Sequence, residues 1–439
     1  MFPNPQDALP LPPRPTTERH KKLAKDLVKA CKSDDPNAIR DWAEKWVTPI
    51  VKASDIKPAG RRRKSIKWWT NQIAAFAKRQ LTNGRCRLAD AQLIVARSYG
   101  FRNWSTFVKH IEALKRKTSA IFRFEAAADA IVNGHLSTLK RLLKQDPKLV
   151  HARSTLEHNA TLLHYTSANG VESYRQNTPP NIVEIVKVLL EAGSEVDAEA
   201  DVYGGGWTTL GLVATSAHPF LAGVQNPLMQ ILLDHGAEID HTTSAGKRQY
   251  AVRDCLANGR REAALYLAER GARLNLEGAA GIGRLDVVKK YFTEDGKRRS
   301  KTTKKEVLMA FLTACSWGNN DVVEFLLDKV DLSGHGGDGQ TGLHCAAICG
   351  QLETIKLLLK FKPPLEVVNV YGGTVLGQTL WSAAHGGDTK LYSAIIETLI
   401  AAGAKVPARH VPVNDAIDEL LRRHGSVPEP TWYWFGEGP

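Results

Sequence analysis

From about residue 121 to residue 425, apolar positions come in short bursts separated by glycine. The clearest burst is Gly339 to Lys360, GQTGLHCAAICGQLETIKLLLK. Leu343, Ala346 and Ala347 repeat at helical spacing. Thr341 precedes them, and its hydroxyl can accept a bond from an orphan N–H of a first turn. Gly350 ends this helix, as a residue free to adopt positive φ does. Leu352, Ile355, Leu357, Leu358 and Leu359 then predict a second helix, apolar on more than one face. Neither helix is long enough to bury itself, so the pattern implies stacking against a neighbouring copy.

Other copies are more or less degraded. An apolar helix followed by Gly-Ala or Gly-Ser recurs in VEIVKVLLEAGSEVDA (183–198), LMQILLDHGAEID (228–240), EAALYLAERGARLN (262–275) and AIIETLIAAGAKV (394–406). The start of the first helix reads Thr341-Gly342-Leu343-His344 and Thr161-Leu162-Leu163-His164. Two further starts lack the histidine, Thr208-Thr209-Leu210-Gly211 and Thr374-Val375-Leu376-Gly377. With its T-P-L-H signature and regular second helix, this unit resembles the ankyrin repeat. The resemblance implies an all-α chain, an ankyrin-repeat solenoid of helix pairs over 121–425 with about eight modules. It also implies a structural, hydrogen-bonding histidine in the signature. Asn133-Gly134-His135 marks the turn of the first module. The fifth, EGAAGIGRLDVVKKYF (277–292), is truncated and followed by a basic insert, and two others carry extra residues at 171–181 and 216–226. NDAIDELLRRHG, after Pro412, has the polarity of the terminal cap that a solenoid needs.

Ahead of the repeats the helical period continues with different composition. Six prolines in residues 1–16 predict a disordered or polyproline lead. Residues 17–118 read as a basic helical domain, a small bundle of about five helices. Its apolar faces include Leu23, Leu27 and Cys31; Ile39, Trp42 and Trp46; Trp69, Ile73 and Phe76; and Trp104, Phe107 and Ile111. The run LADAQLIVARSYGFRNW is similar to a segment found ahead of ankyrin repeats in bacterial proteins, a resemblance that carries no biochemical role. Residues 426–439 form an aromatic tail, whose Trp432-Tyr433-Trp434-Phe435 imply docking, on this chain's own last modules or on a partner.

Charge divides the 439 residues in the same place. Residues 1–120 hold 26 Lys+Arg against 10 Asp+Glu, and the remainder 33 against 36, within a net charge of +13. A basic head on a near-neutral body suggests two tasks. Six scattered cysteines without a C-x-x-C fit a reducing compartment better than a disulfide framework. The start of the chain lacks the order of a signal peptide, and no run of 18 apolar residues exists, so the expectation is a cytoplasmic, membrane-free and monomeric protein.

Candidate chemistry is sparse. His344, Cys345 and Cys349 lie together but lack a fourth ligand at sensible spacing for a metal. Gly334–Gly339 matches G-x-G-x-x-G without the preceding parallel strand of a dinucleotide fold, which favours loop glycine. The Ala96–Gly100 spacing, followed by Thr106 and Lys109, resembles a helix-turn-helix only faintly, since the next apolar position falls at Phe107. Arg61, Arg62, Arg63, Lys64 and Lys67, followed by two tryptophans, are possible phosphate contacts, with a solvated basic face as the alternative. Tyr203 and Trp207 sit in a glycine-rich loop, and His218, Phe220, Tyr174 and Arg175 sit in the two inserts. Together with Tyr371 and Trp381 they are the candidates for binding a partner. No motif for nucleotide, acyl or metalloprotease chemistry is present, so no catalytic residue, metal or cofactor is assigned.

The reading is a protein-interaction scaffold or adaptor that binds a protein partner through its concave face and turn tips. The alternative is a nucleic-acid-associated regulator acting through the basic head. A third reading is an enzyme with a site between head and repeats.

Overall fold

The computed structural model describes residues 4–53, 59–81, 86–386 and 388–429. The chain divides into two compact units, Met1–Gln249 and Tyr250–Pro439. Among the described residues there are 22 α-helices and one two-stranded parallel pairing, Arg409–His410 with Val427–Pro428, so the chain is all-α in class. None of the described helices is long and apolar enough to cross a membrane.

The first unit opens with α1 (Thr17–Cys31), α2 (Ala38–Ala53), α3 (Ala59–Gln80), α4 (Leu88–Ser98) and α5 (Trp104–Leu114). Thr16 caps α1 by accepting from the Arg19 N–H, and Asn103 caps α5 by accepting from the Thr106 N–H. Trp42, Trp46, Trp69, Ile73 and Phe107 make the centre of the core. Tyr99 is buried among them, and its hydroxyl accepts from Trp46 Nε1 at 3.0 Å.

The lead differs from the disorder read from its prolines. Ala8 and Leu9 are buried, and Leu9 joins the bundle core. Pro5–Asp7 form a 3-10 turn in which the Asp7 N–H donates to Asn4 O, and other polar groups of the lead find partners in the bundle. The Leu9 N–H donates to Ser98 O at 2.9 Å, and Asp7 O accepts from Trp69 Nε1 at 2.9 Å.

Three helix pairs follow in the same unit. The first is α6 (Ala120–Val132) with α7 (Leu136–Gln145). In the second, the leading helix shrinks to a 3-10 turn, Leu163–Ser167, before α8 (Ile182–Glu191). In the third, the insert forms α10 (Ala217–Leu221) between α9 (Thr209–Thr215) and α11 (Gln225–Asp234). The loop ahead of the second pair pins repeats to bundle: Leu156 enters the bundle core and the Glu157 N–H donates to Gly100 O at 2.8 Å. Arg97 meets Glu157 at 2.6 Å.

The second unit is more regular. Its pairs are α12 (Ala251–Ala257) with α13 (Arg261–Glu269), α14 (Leu276–Gly281) with α15 (Leu285–Lys289), and α16 (Lys304–Trp317) with α17 (Asn320–Leu326). Then come α18 (Gly342–Ile348) with α19 (Leu352–Leu359), and α20 (Val375–Ala384) with α21 (Thr389–Ala401). One apolar core runs through Leu276, Phe311, Leu343, Leu358, Ile395 and Leu399. Gly342 stands where the repeat signature has proline, and here a side chain would not fit: a Cβ would lie 2.7 Å from the Phe311 ring. The amphipathic α22 (Asp415–Arg423) buries Ile417 and Leu421 in this core and turns its charges outward. The aromatic run Trp432–Phe435 lies outside the described residues.

Candidate interaction surfaces

The two signature histidines are built alike. The Nδ1 of His164 lies 2.8 Å from Thr161 Oγ1 and accepts from the Thr161 N–H at 3.1 Å. Its Nε2 therefore carries the proton and donates to Trp207 O at 3.2 Å in the next pair. His344 repeats this with Thr341 and Gly373 O, at 2.9 and 3.2 Å. Burial holds the His164 pKa down to about 4 and moves His344 in the same direction. A neutral imidazole stitching one pair to the next is a structural bond, as the resemblance implied. Among the described residues no group of His, Cys, Asp and Glu is arranged to hold a metal, and none of the six cysteines is in a disulfide. Gly334–Gly339 form the turn that leads to α18, where the Gly336 N–H donates to Gln340 O.

Arg175, a candidate for binding a partner from its place in the insert, is committed within the fold. It is buried, and its guanidinium bonds Glu125 at 2.6 Å, Asp129 at 2.9 Å and Glu172 at 3.1 Å. The carboxylates come from α6 and from the insert itself, so the insert folds back onto the first helix pair. Glu172 is also buried and faces the Nε2 of His158 at 3.5 Å. Burial alone would raise its pKa, but the attraction of Arg175 and His158 prevails and holds it down to about 2. Glu125 is pushed up instead, because burial outweighs its share of Arg175.

The remaining candidates vary in exposure. Trp207 is half-buried, edge-on to Tyr203 at 6.0 Å and close over Gly211. Tyr203, Tyr174, Tyr371 and Trp381 are exposed, as is His218, while Phe220 is half-buried. Leu221, beside Phe220, projects from α10 almost fully exposed, a residue that sequence reasoning passed over because one leucine in an insert carries no period. Arg63, Lys64 and Lys67 lie on the exposed side of α3, whereas the side chains of Arg61 and Arg62 fall outside the described residues. Thr106 lies in the first turn of α5, where its N–H and its hydroxyl both donate to Asn103 Oδ1.

Two of these groups are brought together by the fold. Lys64 and Trp68 of α3 and Tyr203 of the third pair line one open groove of about 700 Å³ in the first unit. In the second unit, the turn ahead of α20 presents Tyr371. The amide oxygen of buried Asn369 accepts from the N–H groups of Tyr371 and Gly373, both at 3.0 Å, and fixes that turn.

Residues 276–369 and 311–409 match the family model described as Ankyrin repeats (3 copies).

Proposed function

We propose that this chain, which carries ankyrin repeats, is a protein-recognition adaptor that holds its partner through the turn tip and first helix of the eighth pair. Ankyrin repeats generally mediate protein–protein interaction. The observation that carries the finer reading is a run of exposed apolar side chains. Phe361, Val368, Val370, Tyr371 and Trp381 are each more than half exposed, beside a core whose leucines are almost all buried. Scattered surface apolar residues are ordinary, but five in one connecting segment and the helix after it mark an interaction surface.

The anchors are also pre-set. Asn369 holds the tip through its side chain, and the Val370 N–H donates to Asp338 O at 3.0 Å in the preceding turn. The Trp381 ring stacks on His385 at 4.2 Å. Side chains already ordered before binding lose less entropy when the partner arrives. In this reading the chain needs no cofactor and no catalytic residue, and works as a monomer inside the cell.

The test is capture of partners from the native host with the wild-type chain and with Tyr371→Ala/Trp381→Ala. Aromatic anchors of this kind contribute about 2 kcal/mol or more each, so the double variant is expected to lose the retained protein while melting as the wild type does. Undiminished capture by the variant rejects this surface.

A further inference from the structure

The turn between the fifth and sixth pairs carries a charge that the fold does not balance. Residues 289–305 hold eight Lys+Arg against two Asp+Glu, within a repeat body that is close to neutral. All eight cations are exposed. Among the described residues only Lys297 of the eight meets a carboxylate, that of Asp295 at 2.8 Å. Lys304 and Lys305 open α16, the end of a helix where its dipole disfavours cations. Their place therefore does nothing for the stability of α16, and side chains that break a local rule without benefit to the fold point to a functional surface.

The turn is ordered. Phe292 and Arg298 pair as an antiparallel bridge, and the Thr293 N–H donates to Lys297 O at 2.8 Å across it. Arg298 donates to Thr302 O, and Arg299 Nε donates to Phe292 O at 3.1 Å. Bonds to neutral carbonyls fix where these guanidinium groups point and leave their charge uncompensated. At the foot of the turn is a pocket of about 440 Å³, within the range of clefts that hold ligands. Buried Phe292 and Val307 and half-buried Leu308 and Val330 give it apolar walls. Arg298, Lys304 and Lys329 line it with one carboxylate, Asp331. Lys329 is already paired with Asp328 and lies over the Phe325 ring at 4.4 Å. Asp331 accepts from the Ser333 N–H at 2.9 Å. The unpaired cations at the pocket are therefore Arg298 and Lys304, in sequence continuous with Arg299, Lys301 and Lys305.

We propose that this basic turn and its pocket bind an acidic segment of a protein partner. One bulky apolar side chain of the segment fills the pocket, a neighbouring carboxylate pairs with Lys304 and Arg298, and further carboxylates follow the turn. The surplus of cations over 289–305 selects an anion. The pocket selects a peptide among anions, because its apolar walls match an apolar side chain. A single-stranded nucleic acid stacks its bases on exposed rings, and a membrane takes up exposed apolar side chains. Among the described residues no large apolar side chain between residues 270 and 360 is exposed. The surface is separate from that of the eighth pair and shares no residue with it.

A library of random dodecapeptides panned against the full chain tests the assignment. Enriched peptides are expected to carry Asp and Glu beside one bulky apolar residue. A synthetic representative should bind at least about tenfold more weakly to Lys301→Glu/Lys304→Glu/Lys305→Glu. That variant should melt no lower than the wild type, since glutamate suits the start of α16. Serine in place of the apolar residue of the peptide should weaken binding to the wild-type chain by about tenfold or more, a readout that no folding defect can mimic. Tyr371→Ala/Trp381→Ala should leave peptide binding intact, which separates this surface from that of the eighth pair. No enrichment, peptides without acidic bias, peptides indifferent to the charge reversal, or peptides indifferent to the serine replacement each overturn the proposal. So does a labelled DNA duplex, or a vesicle of phosphatidylserine and phosphatidylcholine, that binds more tightly than the best peptide and is lost with the charge reversal.

Discussion

The second and seventh helix pairs share one device and differ in nearly everything behind it. Thr161–His164 and Thr341–His344 place the same imidazole on the carbonyl of the following pair. Behind His344 lie Leu343, Ala346, Ala347, Ile355 and Leu358, all buried, and α18 is a regular helix. Behind His164 the leading helix is a single 3-10 turn, and beside Leu163, Ile185 and Leu189 the interior also holds His158, Thr166, Ser167, Glu172 and Arg175. The seventh pair rests on apolar burial, which tolerates change by degrees. The second adds to its apolar burial a charge network, which is sound only while every member is present. The family model matches the first kind of interior, and its matched residues all fall in the second unit.

The largest effect that tests this contrast is Arg175→Met. Removing one partner leaves Glu172 and Glu125 buried without their cation, which costs about 3–5 kcal/mol. Hydrogen exchange on the full chain should show the loss of protection confined to the first unit. Replacing the three most buried charges together, with Arg175→Met, Glu125→Leu and Glu172→Leu, should restore part of the stability, with His158 left facing an apolar neighbour. In the second unit Leu358→Ala costs about 2–5 kcal/mol by creating a cavity, and no second substitution of a charge would repair it. An Arg175→Met chain as stable as the wild type would remove the distinction between the two interiors.

Acid should separate the units next. Burial moves His20, His110 and His164 down, the last two to about 4, with Arg175 adding repulsion at His110. Unfolded imidazoles titrate near 6.5, so between that pH and about 4 the unfolded chain binds more protons than the folded one. Stability is therefore present above pH 6.5 and lost as pH falls toward 4, by up to roughly 3 kcal/mol for each of His110 and His164. Glu172, held at about 2, adds a further loss below about pH 4.5, and the raised Glu125 offsets part of it. In the second unit His344 moves in the same direction. Exchange measured at pH 7, 5.5 and 4.5 should show the first unit opening before the second. Simultaneous opening would mean that the buried histidines of the first unit are not what sets acid sensitivity.

The smallest effects concern backbone strain, and there the units should agree. Ala168 in the first unit and Lys362 in the second both hold left-handed φ, +47° and +50°. Replacing either with glycine relieves the Cβ clash at some cost in unfolded-state entropy, for a net gain of about 0.5–1 kcal/mol. Thermal melting of the two variants checks it. A gain in one and a loss in the other would show that packing around these turns, and not the local backbone, decides their cost.

The helix pairs were legible in the sequence because their cause is local. A 3.6-residue apolar period, a threonine before it and a glycine after it are all read within about 20 residues, the reach of one helical hairpin. The structural role of His344 was implied by the resemblance of its signature; its Thr341 partner is three residues away, but Gly373, on the next pair, is 29 residues on. Exposure of Tyr203 followed from its place in a glycine-rich turn. What only the tertiary structure decided involves partners far apart in the chain. Arg175 lies in a polar insert and reads as a surface cation, yet Glu125 and Asp129 wait for it some 50 and 46 residues earlier. Leu9 is one apolar residue among prolines, too little for any period, and finds its place only once α4 offers Ser98 O. Lys64 and Tyr203 stand about 140 positions apart in the chain and share a groove because the loop at Leu156 plugs into the bundle. Periodicity reports which face of a segment leaves water; which segment covers that face depends on contacts that no local pattern encodes.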